Sequence, residues 1–201
     1  FCSLQDEDVW VDAMKDSFRD KIWKLMSTKS EFIDGFIGVS DFYSKVSIQK
    51  MNMNADKVFT NHLGVDPDEY HITKPEEKTR NIGYISRMCE ANGFDIMIDA
   101  FIELKRDADF EDVNLILTGG STGDDKPLLK KVKQKLQHAS LSRQVEFHAD
   151  FDGEGRHDFF KKVQMISVPV RNGEAFGLYL LESMASGVPV VQPALGAFPE
   201  I

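Results

Sequence analysis

Cysteine, excess positive charge and long apolar runs are all scarce or absent in this sequence. Only two cysteines, Cys2 and Cys89, occur in 201 residues, and their wide separation indicates free thiols in a reducing compartment. The net charge of −9 argues against a nucleic-acid-binding protein, because such proteins bind phosphates through basic surface. No apolar run approaches the roughly 20 residues of a membrane-spanning helix. With 42% hydrophobic and 28% charged residues, the composition indicates a globular protein, for which we expect a cytoplasmic localisation.

Several catalytic and metal-binding patterns are missing as well. The histidines show no metal-ligand spacing, and no Gly-x-Ser-x-Gly motif marks a serine nucleophile. The glycine-rich run 119–123 lacks the Gly-Lys-Ser/Thr sequence of a P-loop. The triplet Asp150-Phe151-Asp152 matches a metal-binding Asp-x-Asp pattern, but so short a match is common by chance, and we interpret it as a solvated acidic loop. The sequence therefore predicts no metal site.

The pattern from residue 81 onward is regular. Apolar strands are predicted at 81–86, 113–118, 145–148 and 166–170, and helices between them at 93–106, 127–138 and 156–163. Strands that alternate with helices form a parallel sheet with right-handed crossovers. The predicted fold class is therefore α/β, with a Rossmann-like, doubly wound parallel sheet.

The first 74 residues carry a different pattern. A long amphipathic helix is predicted at 6–27, with an apolar stripe that we expect to pack on its own domain; the alternative is a partner or membrane-surface helix. The stripe consists of Trp10, Met14, Phe18, Ile22 and Leu25. Short strands are predicted at 36–39 and 57–60, and Ser40 is predicted to cap a helix that runs to about residue 53. The polar run 74–78 is interpreted as a linker, and the start without methionine indicates a piece of a longer protein.

The stretch 168–201 carries the main candidate site. A strand runs into a turn at Arg171-Asn172-Gly173, a helix starts near Phe176, and a second buried strand is predicted at 188–192. The N-terminus of such a helix suits a phosphate, because its backbone N–H groups are unpaired and carry partial positive charge. Glu174 and Glu182 would repel a phosphate, but they can accept hydrogen bonds from the hydroxyls of a sugar or ribose.

The run EAFGLYLLESMASGVPVV resembles the E-x7-E motif of retaining glycosyltransferases of family 4, which have the two-domain GT-B fold. The closing ALGAFPEI is similar to the next loop of that family. The resemblance implies that Glu174 contacts the donor sugar and Glu182 the ribose of the nucleotide. It also implies that the backbone of the three residues Ala175, Phe176 and Gly177 holds the diphosphate. The alternative is an ordinary βαβ unit with two solvated acids.

The resemblance covers residues 36–201 and implies roles for other residues. It divides the chain into the end of an acceptor domain at 1–74 and a slightly truncated donor domain at 75–201. Arg87 matches an arginine that binds the donor's diphosphate, and the alternative for this residue is a surface salt bridge. Asn92 stands where the family has a second cation, a lysine. Arg171 is a candidate for supplying the missing charge. The pair Gly119-Gly120 matches glycines that let a loop approach the donor, and the residues alone equally favour a plain turn.

The function implied is transfer of a hexose from a UDP-, GDP- or ADP-sugar to a hydroxyl acceptor with retention of anomeric configuration. The acceptor would be a saccharide, a lipid-linked molecule or another hydroxyl compound, and no cofactor or nucleic-acid partner is expected. A peripheral membrane contact through the missing part of the N-terminal domain is a further expectation. Two alternatives stay open: a non-catalytic sugar-nucleotide-binding module, suggested by Asn92, and a sugar-phosphate synthase or phosphorylase of the same fold.

Overall fold

The computed structural model describes residues 1–148 and 153–201, without the side chains of Pro75 and Glu154. The chain forms two compact units. Unit 1 comprises Phe1–Gly64, Gly173–Leu178 and Ala194–Ile201, and unit 2 comprises Val65–Asn172 and Tyr179–Pro193. The assignment of 1–74 to an acceptor domain and 75–201 to a donor domain is a functional one, and it stays a prediction.

Unit 1 contains a parallel sheet in the order β1 (Cys2–Leu4), β2 (Phe36–Gly38), β3 (Val58–Thr60). Helix α3 (Asp41–Met51) follows β2 and packs on this sheet. Ser40 accepts a hydrogen bond from the backbone N–H of Tyr43, which confirms it as the cap of α3. The core of the unit is apolar and includes Leu4, Val11, Phe36, Val39, Tyr43, Met51 and Met53.

The predicted helix at 6–27 is in fact two helices, α1 (Glu7–Asp12) and α2 (Asp16–Ser30). The backbone turns extended at Lys15, where φ is −58° and ψ is 143°. Side-chain contacts of Asp12, the last residue of α1, stabilise this break. Its carboxylate accepts a hydrogen bond from Trp23 Nε1 of α2 at 2.8 Å and forms an ion pair with Lys50 of α3. Sequence periodicity does not register such distant contacts.

The prediction that the stripe of this segment packs inward is wrong. Trp10 is 72% exposed and Phe18 61% exposed, and Met14 and Leu25 are also exposed. Ile22, the fifth residue of the stripe, is half-buried, and helix α2 lies against α1 and α3.

Unit 2 contains a second parallel sheet in the order β6 (Val145–Phe147), β5 (Asn114–Thr118), β4 (Asn81–Ile85), β7 (Met165–Ile166). Helix α4 (Phe94–Leu104) joins β4 to β5, α5 (Lys126–His138) joins β5 to β6, and α6 (Gly153–Lys162) precedes β7. All pairings are parallel, as predicted. Fully buried side chains of the core include Tyr84, Phe94, Ile98, Phe101, Leu115, Leu117, Phe159, Phe160, Val163 and Ile166.

The second buried strand predicted at 188–192 is wrong as a strand. Only an isolated bridge between Val190 and Ile166 forms, and Val191 is exposed. Pro189 has no backbone N–H to donate to a ladder, and Pro193 ends the segment in the same way. Helix α7 (Leu178–Ala185) before it is present, and it ends close to the predicted Ser186-Gly187.

Two further expectations concern the whole described chain. Both cysteines are free thiols, as predicted. Within the described residues, no helix has the length and apolar character needed to cross a lipid bilayer.

Candidate functional site

The loops after β4 and β5 meet at one edge of the unit 2 sheet. Ser86 N–H donates to the carbonyl of Thr118 at 3.1 Å, and Met88 N–H donates to the carbonyl of Gly120 at 2.9 Å. Gly119 has a φ of +114°, and a Cβ there would lie 2.3 Å from the Ser86 carbonyl oxygen. Only glycine permits this close approach of two backbones. The predicted residue Gly119 is thus a structural requirement of the edge, whereas Gly120 has a positive φ but open space around it.

Arg87 extends from the end of β4 toward the loop after β5. Its guanidinium donates from Nε and Nη2 to the two carboxylate oxygens of Asp125 at 2.9 and 3.0 Å, and Nη2 also donates to Thr122 Oγ1 at 2.8 Å. Asp125 is 6% exposed, and it also accepts from the Thr122 backbone N–H at 2.6 Å in a capping box. The arginine predicted to bind diphosphate is therefore held in place by a bidentate ion pair.

This arrangement shifts the pKa values of both partners. Burial raises the pKa of Asp125, but the hydrogen bonds from Arg87 and Thr122 outweigh burial, so the pKa lies below its usual value. The hydrogen bond to Asp125 raises the pKa of Arg87. Both groups are thus charged at neutral pH, and the guanidinium keeps part of its surface exposed.

Asn92 braces the loop between β4 and α4. Its Nδ2 donates to Ser86 Oγ at 2.8 Å and to the Arg87 carbonyl at 3.3 Å, while Tyr84 OH donates to the same carbonyl at 2.9 Å. The amide therefore holds the segment that carries Arg87. A lysine at this position, as in the family pattern, would place a cation beside Arg87 in the same loop.

Arg171 binds the other end of that loop. Its backbone N–H donates to the carbonyl of Ala91 at 3.0 Å, its Nε to the carbonyl of Glu90 at 2.9 Å, and its Nη2 to Asp95 Oδ2 at 2.6 Å. The guanidinium predicted to replace the missing charge of Asn92 is thus engaged with an acid of α4. In this structure Arg171 thus holds the end of the loop and the first turn of α4 together.

Glu182 lies in a buried network elsewhere in unit 2. The residue is 3% exposed, and its Oε2 is 3.0 Å from Arg156 Nη2 of α6. Tyr70 OH donates to Oε1 at 3.2 Å, and the Tyr70 ring contacts the ring of His157 at a centroid distance of 5.1 Å. Burial raises the pKa of Glu182, although Arg156, Tyr70 and His157 each act to lower it.

The donor-loop candidates Glu174, Ala175, Phe176 and Gly177 belong to unit 1. The carbonyl of Ala175 accepts a buried hydrogen bond from Ser40 Oγ at 2.6 Å, and the carbonyl of Glu174 accepts one from Ala197 N–H at 3.1 Å. Gly177, with a φ of +88°, directly precedes α7. The backbone of this loop is therefore fixed on both sides by its own unit.

The closing loop of the chain packs against the same segment. Gly173 and Gly196 both have positive φ, and a Cβ on Gly196 would lie 2.5 Å from the Glu174 nitrogen. The carboxylate of Glu200 accepts from the backbone N–H groups of Asp41 and Phe42 at 2.7 Å each. An anion at the N-terminus of α3 is favourable, because it accepts hydrogen bonds from otherwise unpaired backbone N–H groups and interacts favourably with the helix dipole. The motif ALGAFPEI thus supports the loop that carries Glu174.

A cavity of about 120 Å³ in unit 1 is bordered by Glu174 and by an acid that the sequence did not single out, Asp6. The other lining residues are Gln5, Val39, Leu63, Ala175, Phe176, Gly177 and Leu178. Asp6 has a φ of +114°, which is costly for a residue other than glycine. Burial, with smaller contributions from Asp8 and Glu7, raises the pKa of Asp6 from 3.8 to about 6. The carboxylate of Asp6 is thus destabilised where it stands.

We expect Asp6→Asn to stabilise the protein at pH 7.5 and to lose that advantage at pH 4. The folded state favours protonated Asp6, so stability falls as pH rises from 3.8 to about 6, whereas asparagine does not ionise. After allowance for solvent screening, the gain at pH 7.5 is about 1 kcal/mol. Urea unfolding at both pH values measures it, with the exposed acid Asp34→Asn as control. An equal gain at both pH values would show that ionisation of Asp6 is not the cause.

The structure brings only part of the predicted site together. Arg87, Asn92 and the pair Gly119-Gly120 share one loop cluster of unit 2, and Arg171 clamps the end of that cluster. Glu182 lies in its own buried network, and Glu174 to Gly177 belong to unit 1. The sequence analysis missed four polar partners, which are Asp6, Tyr70, Asp125 and Arg156. Of these, only Asp125 had a usable signal, the capping-box spacing Thr122-x-x-Asp125.

The predicted absence of a metal site stays a prediction. Among the described residues no cluster of histidine, cysteine and acidic side chains has the arrangement to hold a metal ion. The triplet Asp150-Phe151-Asp152 lies outside the described residues.

Solved structures of similar fold cover nearly the whole chain. HepE of Anabaena, solved in complex with UDP and glucose, has a TM-score of 0.78 at 20% identity over 94% of this chain and 51% of its own. Sucrose-phosphate synthase of Thermosynechococcus elongatus has a TM-score of 0.72 at 20% identity over 93% of this chain and 48% of its own. These likenesses show the fold, which is the α/β, Rossmann-like class of GT-B glycosyltransferases.

Curated relatives carry names of the same kind. A D-inositol 3-phosphate glycosyltransferase of Corynebacterium jeikeium is 29% identical over 61% of this chain and 29% of its own length. A phosphatidyl-myo-inositol mannosyltransferase of Mycobacterium tuberculosis is 24% identical over 88% of this chain and 45% of its own. The chain thus spans less than half the length of these relatives. The family model described as glycosyl transferases group 1 matches residues 66–201, and the chain belongs to this family of transferases.

Proposed function

We propose that this protein is a retaining glycosyltransferase of family 4 that moves a hexose from a nucleoside diphosphate sugar to a hydroxyl acceptor. The observation that carries the proposal is the pair Glu174 and Glu182 in its E-x7-E run, inside the region that matches the family. HepE was solved with UDP and glucose, and a curated relative is named as a mannosyltransferase of phosphatidyl-myo-inositol. Among the proposed UDP-, GDP- and ADP-hexose donors, HepE supports a UDP-hexose, and the mannosyltransferase supports a lipid-linked acceptor among the proposed saccharide and lipid-linked ones.

In the proposed reaction the bond between the sugar and the diphosphate breaks early, so positive charge must stabilise the departing phosphate. Arg87 would supply that charge, with the backbone N–H groups of Ala175, Phe176 and Gly177. Its ion pair with Asp125 fixes the guanidinium before the donor arrives, and such preorganisation lowers the cost of reorganising charge during the reaction. No resident cofactor is part of this proposal.

The two acids would have different tasks. Glu174 would accept hydrogen bonds from the hydroxyls of the donor sugar and so position its anomeric carbon. Glu182 would accept hydrogen bonds from the ribose hydroxyls of the nucleotide. Asn92, Gly119 and Gly120 would shape the loops at the sheet edge, and Arg171 would hold the end of the Asn92 loop.

Donor turnover by the full-length protein tests the proposal without knowledge of the acceptor. The protein is incubated with UDP-, GDP- and ADP-hexoses, with water or candidate acceptors to receive the hexose, and the release of nucleoside diphosphate is measured. We expect release from one nucleotide class, slowed about 100-fold by Glu174→Gln. Proton NMR of the sugar product reports retention of the anomeric configuration. Release from no donor by the folded, full-length protein would contradict the proposal.

Asn92 motivates the second candidate, a sugar-nucleotide-binding module without catalysis. With asparagine in the lysine position, the loop has one cation fewer near the leaving group. Asn92→Lys is expected to raise turnover if the site is catalytic. If the protein is only a binding module, nucleotide affinity can change, but wild type and variant would both show no turnover.

A further inference from the structure

The carboxylate of Glu182 is surrounded by polar groups from two other segments. Helix α6 supplies Arg156, whose Nη2 lies 3.0 Å from Oε2, and also His157. The segment before β4 supplies Tyr70, whose hydroxyl donates to Oε1 at 3.2 Å. None of these residues belongs to the E-x7-E run, and no motif marks them in the sequence.

The carboxylate keeps acceptor capacity in this network. An ionised carboxylate has about four lone-pair sites, two on each oxygen. Tyr70 uses one site on Oε1, and Oε2 faces Arg156 at ion-pair distance without a directional hydrogen bond from any described side chain. Each oxygen therefore keeps an acceptor site that no described side chain uses, and the Oε2 atom is fully buried. Two neighbouring acceptors match the two donors of a cis-diol, such as the 2′- and 3′-hydroxyls of a ribonucleotide.

Burial works against that use of the carboxylate. Glu182 is only 3% exposed, and an isolated carboxylate in such a place takes up a proton rather than stay charged. A protonated carboxyl donates through one oxygen and loses part of its acceptor strength. A cation at 3.0 Å opposes protonation, and a hydroxyl donor on the other oxygen fixes the rotation of the carboxylate.

We propose that Arg156 and Tyr70 are positioning residues that hold Glu182 as an anion in one orientation, so that it can bind the ribose diol of the nucleotide. This inference rests on the proposed function, in which Glu182 binds the ribose. Arg156 acts through its charge, which keeps the Glu182 carboxylate ionised, and Tyr70 acts through its hydrogen bond, which fixes the orientation of that carboxylate. Removing Arg156 should therefore weaken nucleotide binding in a pH-dependent way, whereas removing the Tyr70 hydroxyl should weaken it equally at different pH values.

Calorimetric titration of the nucleoside diphosphate that the wild-type protein binds best, at pH 6 and pH 8, tests the role of Arg156. The quantity compared is the ratio of dissociation constants of Arg156→Met and wild type at each pH, because protonation of the nucleotide itself cancels in that ratio. We expect the ratio to be larger at pH 6 than at pH 8, because loss of the Arg156 cation raises the pKa of the buried Glu182 carboxyl further and a proton competes more strongly at the lower pH. Arg156→Lys, which keeps the charge, is expected to restore a ratio that hardly changes with pH.

Two further variants separate this role from a merely structural one. Tyr70→Phe is expected to weaken binding about threefold to tenfold at both pH values, with the loss abolished when the ligand is the 2′,3′-dideoxy nucleotide. In the Glu182→Gln background, Arg156→Met is expected to cause no pH-dependent change, because glutamine does not titrate. Tyr70→Phe is a mild substitution, so it keeps the test decisive if Arg156→Met does not fold.

The outcomes distinguish this inference from the proposed function. If the wild-type protein binds no nucleotide, the proposed function fails and this inference with it. If it binds nucleotide and the Arg156→Met ratio is the same at both pH values, the proposed function stands and the role of Arg156 is overturned. If Tyr70→Phe loses equal affinity for the ribo- and dideoxynucleotides, the orientation role of Tyr70 is overturned.

Discussion

Replacing Gly93 with alanine is expected to lower the free energy of unfolding by more than about 3 kcal/mol. Gly93 has a φ of +66°, and a Cβ on it would lie 1.8 Å from the carbonyl oxygen of Pro169. The atom that it would meet is backbone, so no side-chain rotation can make room. Two costs add up in the variant. Alanine is strained in the left-handed conformation, and its Cβ would push α4 away from the segment after β7. Urea unfolding of both proteins measures the difference.

Other glycines of unit 2 provide graded controls for this experiment. Gly119→Ala should be comparably costly, because its Cβ would lie 2.3 Å from the Ser86 carbonyl oxygen. Gly120 has a φ of +75° but open space around it, so Gly120→Ala should cost about 1 kcal/mol. Gly123 has neither a positive φ nor a near neighbour, and Gly123→Ala should stay within about 0.5 kcal/mol. Equal costs at Gly93 and Gly123 would contradict the packing described here.

Asp125→Ala is expected to lower the free energy of unfolding by about 2–3 kcal/mol at pH 7. The substitution removes a buried acceptor of two hydrogen bonds from Arg87 and of the capping bond from the Thr122 N–H. The part-exposed guanidinium can turn to water, which keeps the cost below that of a fully buried pair. Urea unfolding gives the magnitude, with the exposed neighbour Asp124→Ala as matched control.

The pH dependence of this difference has a definite sign. The folded state depresses the pKa of Asp125, so its contribution is fully present above the ordinary value of 3.8 and is lost as pH falls through the lower folded value. The difference between wild type and Asp125→Ala should therefore be constant from pH 5 to pH 8 and shrink below about pH 4. A difference that grows as pH falls would contradict the ion pair described here.

The strands β4 and β5 and the helices beside them were predictable, because their apolar residues recur with a period that the local backbone dictates. The strand at 188–192 was not, since apolar residues suggested burial while Pro189 and Pro193 removed the donors of a ladder. The helix at 6–27 failed for another reason: the contacts of Asp12 with Trp23 and Lys50 join residues far apart in sequence.

The candidate site shows the same limit. Arg87 and the Gly119-Gly120 pair closely follow β4 and β5, so their place at the sheet edge followed from topology, and the apolar spacing of the E-x7-E run placed Glu182 on a helix. Their partners did not, because Asp125, Arg156 and Tyr70 reach them through tertiary packing. The burial of Glu182 also came from packing, since a glutamate one to two turns into a helix is exposed in most proteins.

The most direct test of the central claim is calorimetric titration of UDP, GDP and ADP into the intact protein and into Glu182→Ala. The account predicts that one nucleotide binds the wild-type protein and that Glu182→Ala weakens its binding about 100-fold, because charge-assisted hydrogen bonds to the ribose are lost. The exposed acid substitution Glu103→Ala, as control, should leave the affinity unchanged. Binding of no nucleotide by the folded protein, or binding that Glu182→Ala leaves intact, would contradict the account.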